Sequence, residues 1–352
     1  MREKGSKQWC SLWGRLWGSR GKVKLVGLCL VLALVFSLIH ALEEVKFISS
    51  GSQQNAVEEE QKLNSEGLPQ NKQQSPHPSF ISQQELYEVL ANSKEYSNLE
   101  EQSNLEGQFN SVAQPNSKGT IHAGVVPHHL VAGSLITDFM FAISPQEPEL
   151  LVIVGPNHNN SGGRIITGYA DWQTPEGLVE TEDNIVRTLL EKEMAVRDEK
   201  VLSKEHSIGS LIPLIKYYLP QAKVVPIIFH HDVTLEEVDK LLAVLDPLLA
   251  EEKGVLLASV DFSHYLTRKE AQEKDSLTLE VMNNFDYPTL FHLGNDHLDS
   301  PASLATILRF AERKDLQEFQ LLANTNSGVI LQNDFIETTS YFTLVFLKID
   351  QS

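Results

Sequence analysis

Two hydrophobic patterns alternate along most of this chain. In one, apolar residues follow one another without interruption, as in Leu150-Leu151-Val152-Ile153-Val154 and Val255-Leu256-Leu257-Ala258-Ser259-Val260. A strand with one face in water reads apolar, polar, apolar; a strand apolar at nearly every position is buried on both faces, as in a parallel sheet sandwiched by helices. In the other, apolar residues recur at helical spacing. Together they predict strands over 120–126, 150–155, 164–169, 223–229 and 255–260, with a final pair near 317–323 and 340–348. Helices are predicted over 131–142, 180–192, 207–218, 234–250, 269–284 and 302–313, Pro220 stopping the third. This alternation predicts an α/β domain over 119–352 with a mostly parallel central sheet covered by helices on both faces. No internal repeat and no second folded domain is visible.

Upstream of residue 119 the pattern disappears. Residues 43–118 are rich in Gln, Asn, Ser and Glu, as in Gln53-Gln54-Asn55 and Gln70-Asn71-Lys72-Gln73-Gln74. Such a composition buries too little apolar surface to offset ordering entropy, so it is expected to be a tether. One island stands out: Leu86, Val89 and Leu90 at helical spacing within 82–97, with Ser82 and Glu85 placed to form a capping box. That helix could dock on the domain or stand alone.

Charge and length add a membrane to this picture. Residues 1–24 carry seven Lys/Arg and one acid, a net of +6, and the remaining 22 basic and 46 acidic residues give −24. Between them, 25–42 is an apolar run long enough to span a bilayer core of about 30 Å, interrupted only by Ser37 and His40. Basic residues before it and Glu43-Glu44 after it predict a single-pass signal anchor, with a basic cytoplasmic head at 1–24 and the C-terminal domain outside the cytoplasm. A cleaved signal peptide is the alternative, disfavoured because cleavage after Ala41 would place Ile39 at a small-residue position. The acidic body has no basic stripe with which to neutralise phosphates, which excludes nucleic acid as a partner. Cys10 and Cys29 are the only cysteines. The domain therefore has no disulfide, cysteine nucleophile or thiolate zinc site.

The candidate chemistry lies in histidines at strand ends, where open parallel sheets place their sites. Val125-Val126-Pro127-His128-His129, Gly155-Pro156-Asn157-His158 and Asp261-Phe262-Ser263-His264 each follow an apolar run. Three strand ends carrying imidazoles to one crevice suggest a metal or acid–base site. Other histidines have plainer explanations: His122 lies inside a strand, His230 and His231 end another, and His292 is expected at the surface. His129 should point away from its neighbour. His206 opens a helix and could either contact a bound anion or cap.

Pro127-His128, Gly155-Pro156-Asn157-His158, Glu205-His206-Ser207-Ile208, Ser259-Val260-Asp261-Phe262-Ser263-His264 and Thr339-Ser340-Tyr341 occur in that order. In this the chain resembles the Memo family, also called AmmeMemoRadiSam system protein B, over roughly residues 119–350. The resemblance implies a fold similar to class III extradiol ring-cleaving dioxygenases and a mononuclear metal at the strand ends. Its ligands there would be His128, His158 and a cysteine shortly before a helix-opening proline. Counting back from Pro301 puts His297 at the cysteine position. Three imidazoles suit zinc, copper or iron, and an exported domain avoids an oxidisable thiol by this exchange. Asp296 and Asp299 remain alternatives that would give a two-His-one-carboxylate site. His129-Leu130 stands where the family usually has Ala-Gly, and Leu211 where a second histidine often follows the Glu-His-Ser-Ile motif.

Asp261 and His264 would then flank the metal. Asp261 could orient a ligand imidazole or act as general base with His264 as proton donor, or could merely cap its turn. The functions this suggests are a metal-dependent oxidoreductase acting on a small molecule, a non-catalytic metal- or ligand-binding module, and a metal-assisted hydrolase. The resemblance also implies radical-SAM and AMMECR1-like partners, from which an exported domain would be separated by the membrane.

Overall fold

The computed structural model describes residues 74–99, 119–251, 253–316 and 318–349. The strands, in chain order, are β1 (Gly119–Val126), β2 (Leu150–Pro156), β3 (Ile165–Thr167), β4 (Trp172–Thr174), β5 (Gly177–Val179), β6 (Val196–Arg197), β7 (Lys223–Phe229), β8 (Gly254–Ser259), β9 (Gln320–Asn326) and β10 (Ser340–Ile349). Eight form one sheet in the order β6-β3-β7-β2-β8-β1-β10-β9, and β4 and β5 pair separately as a hairpin. The centre of the sheet, β7-β2-β8-β1, is parallel throughout. Antiparallel neighbours are added at its sides, with β3 against β7 and β10 against β1.

The uninterrupted apolar runs now have their reason. In β2, Leu150, Val152 and Val154 pack into one core while Leu151 and Ile153 pack into the other. In β8, Leu256 and Ala258 divide from Val255 and Leu257 in the same way. A period of two with both faces covered by helices leaves no position for a polar residue. Helices Asp183–Glu191, Leu235–Glu251 and Pro301–Arg313 contribute to one core. Helices Gly133–Ile143 and Ile212–Tyr218 contribute to the other.

Three differences from the sequence expectation matter. The helix expected over 207–218 is two pieces, His206–Gly209 and Ile212–Tyr218. Pro213 explains the break. Within one continuous helix its ring would collide with the carbonyl four residues back, whereas in a first turn its missing N–H is not needed. The β4–β5 hairpin was not foreseen, since three-residue strands carry too little pattern to register. Finally, the helix expected over 82–97 forms as Gln83–Leu99 and packs on Gly133–Ile143, burying Leu86, Val89 and Leu90. Part of the expected tether is therefore docked on the domain.

No helix among the described residues is long and apolar enough to cross a membrane. The predicted span 25–42, the basic head and the linker up to residue 73 lie outside the described residues.

Candidate metal centre

Because β2, β8 and β1 are neighbours in the sheet, their carboxyl ends deliver His158, Asp261 and His128 side by side. The His128 and His158 rings meet edge to face with centroids 5.1 Å apart. His206 stacks on His158 at 4.0 Å and lies 5.3 Å from His128. One nitrogen from each of His128, His158 and His206 falls within 4.8 Å of the other two, so the three could hold a metal ion. His128 is buried, with 2 % of its side chain exposed, whereas His158 and His206 are 28 % and 50 % exposed. The cluster therefore opens to solvent on the side of His158 and His206.

The surrounding hydrogen bonds fix which nitrogens are free. Ser259 Oγ donates its proton to the Ser207 carbonyl, so toward His128 Nδ1, 3.0 Å away, it can only accept. His128 thus carries its proton on Nδ1 and keeps a lone pair on Nε2. Burial, reinforced by the neighbouring His158 and His206, lowers the His128 pKa well below the ordinary histidine value, so the ring is neutral. Glu205 orients the His158 ring with Nε2 inward, accepting from Nδ1 at 2.7 Å and from the backbone N–H at 2.9 Å. Burial alone would raise the Glu205 pKa, but the hydrogen bonds from His158 and Ser207 outweigh it and hold the group below the usual carboxylate range. Glu205 also caps the His206–Gly209 helix through the Ser207 N–H. Ser207 Oγ in turn donates to the Pro156 carbonyl. A Cβ on Gly155 would come within 2.9 Å of that hydroxyl, so glycine is needed for this approach. The Glu-His-Ser-Ile motif thus latches His206 onto the end of β2.

Two buried carboxyl groups complete the site. Asp261 Oδ1 accepts from the His128 N–H, and Asp299 Oδ2 accepts from the Asp261 N–H. Asp299 Oδ2 lies 3.4 Å from His128 Nε2 and 3.7 Å from His158 Nε2. Its Oδ1 is buried without a partner. Burial, then the Asp261 charge, raises the Asp299 pKa well above its ordinary value; burial also raises that of Asp261. Two buried carboxylates facing imidazole lone pairs form a donor set that a cation would satisfy, since its charge reverses the cost of ionising them. The residues present therefore fit a metal ion.

His264 completes the flank. Burial lowers its pKa, the Asp261 carboxylate opposes this, and its Nδ1 has no hydrogen-bond partner. His129 turns aside, as expected, its Nδ1 2.7 Å from the Tyr341 hydroxyl.

The third ligand inferred from sequence requires correction. His297 is not among the clustered imidazoles. A turn closing on the Gly294 carbonyl points its ring at the helix Arg268–Asn283. There Nδ1 lies 3.0 Å from Thr278 Oγ1 and Nε2 lies 3.3 Å from Lys274 Nζ. Thr278 donates its own proton to the Lys274 carbonyl, and an ammonium only donates, so both nitrogens of His297 are already committed. Asp296 pairs with Lys274 at the surface. Of the sequence alternatives, only Asp299 reaches the site, drawn in by the bridge between Phe262 and Leu298. His206, expected to contact a bound anion or to cap its helix, is the third imidazole of the cluster.

The chain is similar to known proteins. The family model described as "Memo-like protein" matches residues 93–345. A MEMO1 family protein of Thermotoga maritima is 27% identical over 230 residues, covering 64% of this chain and 80% of the relative. One from Pyrobaculum aerophilum is 29% identical over 244 residues, covering 66% and 86% respectively. A third, from Sulfolobus acidocaldarius, is 32% identical over 177 residues, covering 48% and 62%. On the extent of the family match and the order of its motifs, the chain belongs to the Memo family.

Proposed function

We propose that this protein is a membrane-tethered Memo-type metalloenzyme, an oxidoreductase that binds one divalent ion, iron, copper or zinc, through His128, His158 and His206. The observation that carries this is the convergence of three imidazole nitrogens within 4.8 Å beside two buried carboxyl groups. Such an ion supplies a Lewis acid with open positions for a small molecule and, if iron or copper, a one-electron couple. The chain's own residues do the rest. Ser259 and Glu205 hold the His128 and His158 tautomers with their Nε2 lone pairs inward. Asp299 faces both lone pairs and adds a fourth donor. Asp261 and His264 stand beside the cluster, placed to take and return a proton on a molecule entering over His158 and His206. The apolar run at 25–42 tethers the site outside the cytoplasm, which separates it from cytoplasmic radical-SAM or AMMECR1-like proteins.

The test is metal analysis of the chain purified without added metal, followed by oxygen uptake with candidate small molecules. One equivalent of metal with oxygen-dependent substrate loss is the expected result. Metal without turnover would leave a binding module, and turnover without oxygen uptake would indicate hydrolysis; either overturns the oxidoreductase assignment.

A further inference from the structure

The arm that precedes the domain packs beside two of the three segments that carry the clustered histidines, the His206 helix and the stretch that follows His128. His77 joins β4 as a one-residue bridge, its N–H donating to Asp171 O at 2.7 Å and its carbonyl accepting from Gln173 N at 2.8 Å. Its ring packs edge-on against the buried Trp172, with Nε2 3.2 Å from Glu199 Oε2. Three residues later the Phe80 ring lies against Gly209, so closely that even a Cβ there would collide with it. A capping box between Ser82 and Glu85 then starts the helix Gln83–Leu99. On that helix Val89 covers Gly133, the first residue of the helix that follows the His128-His129 turn.

Gly209 ends the four-residue helix that His206 begins. A single helical turn has almost no stability of its own, because nucleation fixes several dihedrals for one hydrogen bond. This turn must be held from outside. Glu205 and Ser207 hold its first half through β2, and Phe80 holds its second half. His206 is the most exposed of the three imidazoles and has no partner as close as those that fix His128 and His158. Its place therefore depends on the backbone beneath it.

We propose that Phe80 is a positioning residue for His206, so that docking of the arm and metal binding are coupled. This rests on the metal assignment above. Coupling of this kind is reciprocal: what the arm adds to metal affinity, the metal adds to arm docking. A tether that ends in the arm is thus joined mechanically to the centre it carries.

The experiment uses the full chain in detergent and Co²⁺, whose absorption reports coordination. Phe80→Ala should weaken Co²⁺ binding at least tenfold, and Phe80→Tyr should restore it. Gly209→Ala, whose Cβ displaces the ring while residue 80 stays Phe, should reproduce the loss. Val281→Ala, a buried truncation in the opposite core, controls for general destabilisation and should leave the affinity unchanged. In a His206→Ala background, Phe80→Ala should cost nothing further, because its effect passes through that imidazole. Independently of any variant, Co²⁺ should slow proteolytic cleavage within residues 74–99 of the wild-type chain. Wild-type binding that Phe80→Ala and Gly209→Ala leave intact, an additive loss in the His206→Ala background, or arm cleavage indifferent to Co²⁺ would each overturn the coupling alone. A wild-type chain that binds no Co²⁺ overturns the metal assignment, and the coupling with it.

Discussion

Glu205 Oε1 accepts a hydrogen bond from His158 Nδ1 at 2.7 Å, while Glu205 Oε2 accepts from the backbone N–H of the same residue. One buried carboxylate thus fixes the position, tautomer and ring orientation of a candidate ligand and caps the helix that carries another. Glu205→Ala removes all three acceptor contacts at once. Groups that orient metal-bound imidazoles typically contribute about 10- to 100-fold in metal affinity, and that loss is expected here. Stability should fall by on the order of 3 kcal/mol, because buried donors lose their acceptor. Glu205→Gln retains an acceptor oxygen and should lie between. Metal titration and urea unfolding of the two variants measure both effects.

His206→Ala and His297→Ala separate the observed cluster from the site expected by motif counting. His206→Ala should lower metal content after dialysis against a weak chelator about as severely as His128→Ala or His158→Ala. His297→Ala should keep its metal and instead lose on the order of 1–2 kcal/mol of stability, by removing the buried ring and its contacts with Thr278 and Lys274. Metal stoichiometry in the four variants decides. Metal loss in His297→Ala with retention in His206→Ala would return the third position to His297.

The central sheet was legible because a strand buried on both faces writes itself as an unbroken apolar run. His128 and His158 were legible because parallel strands end at the crevice. The role of His297 was not. A cysteine position counted back from Pro301 says where a residue lies in the chain, but the turn on Gly294 decides which way it points. Asp299, two residues later, is carried inward by pairing that no spacing reveals. The division of the 207–218 segment was legible in principle from Pro213. His77 and Phe80 could not be found by periodicity: they lie in a polar stretch and bind through one bridge and one glycine.

The membrane assignment predicts topology. A reporter fused after Ser352 should be active when it requires export and silent when it requires the cytoplasm, given the +6 head before the apolar run at 25–42. Replacing the basic residues of 1–24 with Gln should weaken or invert that orientation. Activity confined to a cytoplasmic reporter in the wild-type fusion would overturn the exported placement.

The last prediction concerns acid, where two carboxyl groups act with opposite sign. Asp275 is buried among Ser263, Ser340 and Asn324, and burial pushes its pKa up from 3.8 to about 6 despite their hydrogen bonds. The folded state therefore binds this proton more tightly than the unfolded chain. The resulting stability is fully present below pH 3.8 and is lost as pH rises through about 6, amounting to at most about 3 kcal/mol. Glu199 runs the other way. Burial raises its pKa, but the close His77 imidazole and the hydrogen bonds from Tyr169 and Arg197 prevail and bring it from 4.5 to about 2. Its contribution is present above pH 4.5 and is lost as pH falls through about 2. Asp275→Asn should therefore flatten the decline in stability between about pH 4 and 6, and Glu199→Gln should flatten the decline below about pH 4.5. Urea unfolding midpoints collected from pH 3 to 8 test both. A wild-type profile whose slope between pH 4 and 6 is unchanged by Asp275→Asn would show that this carboxyl is already ionised in the fold.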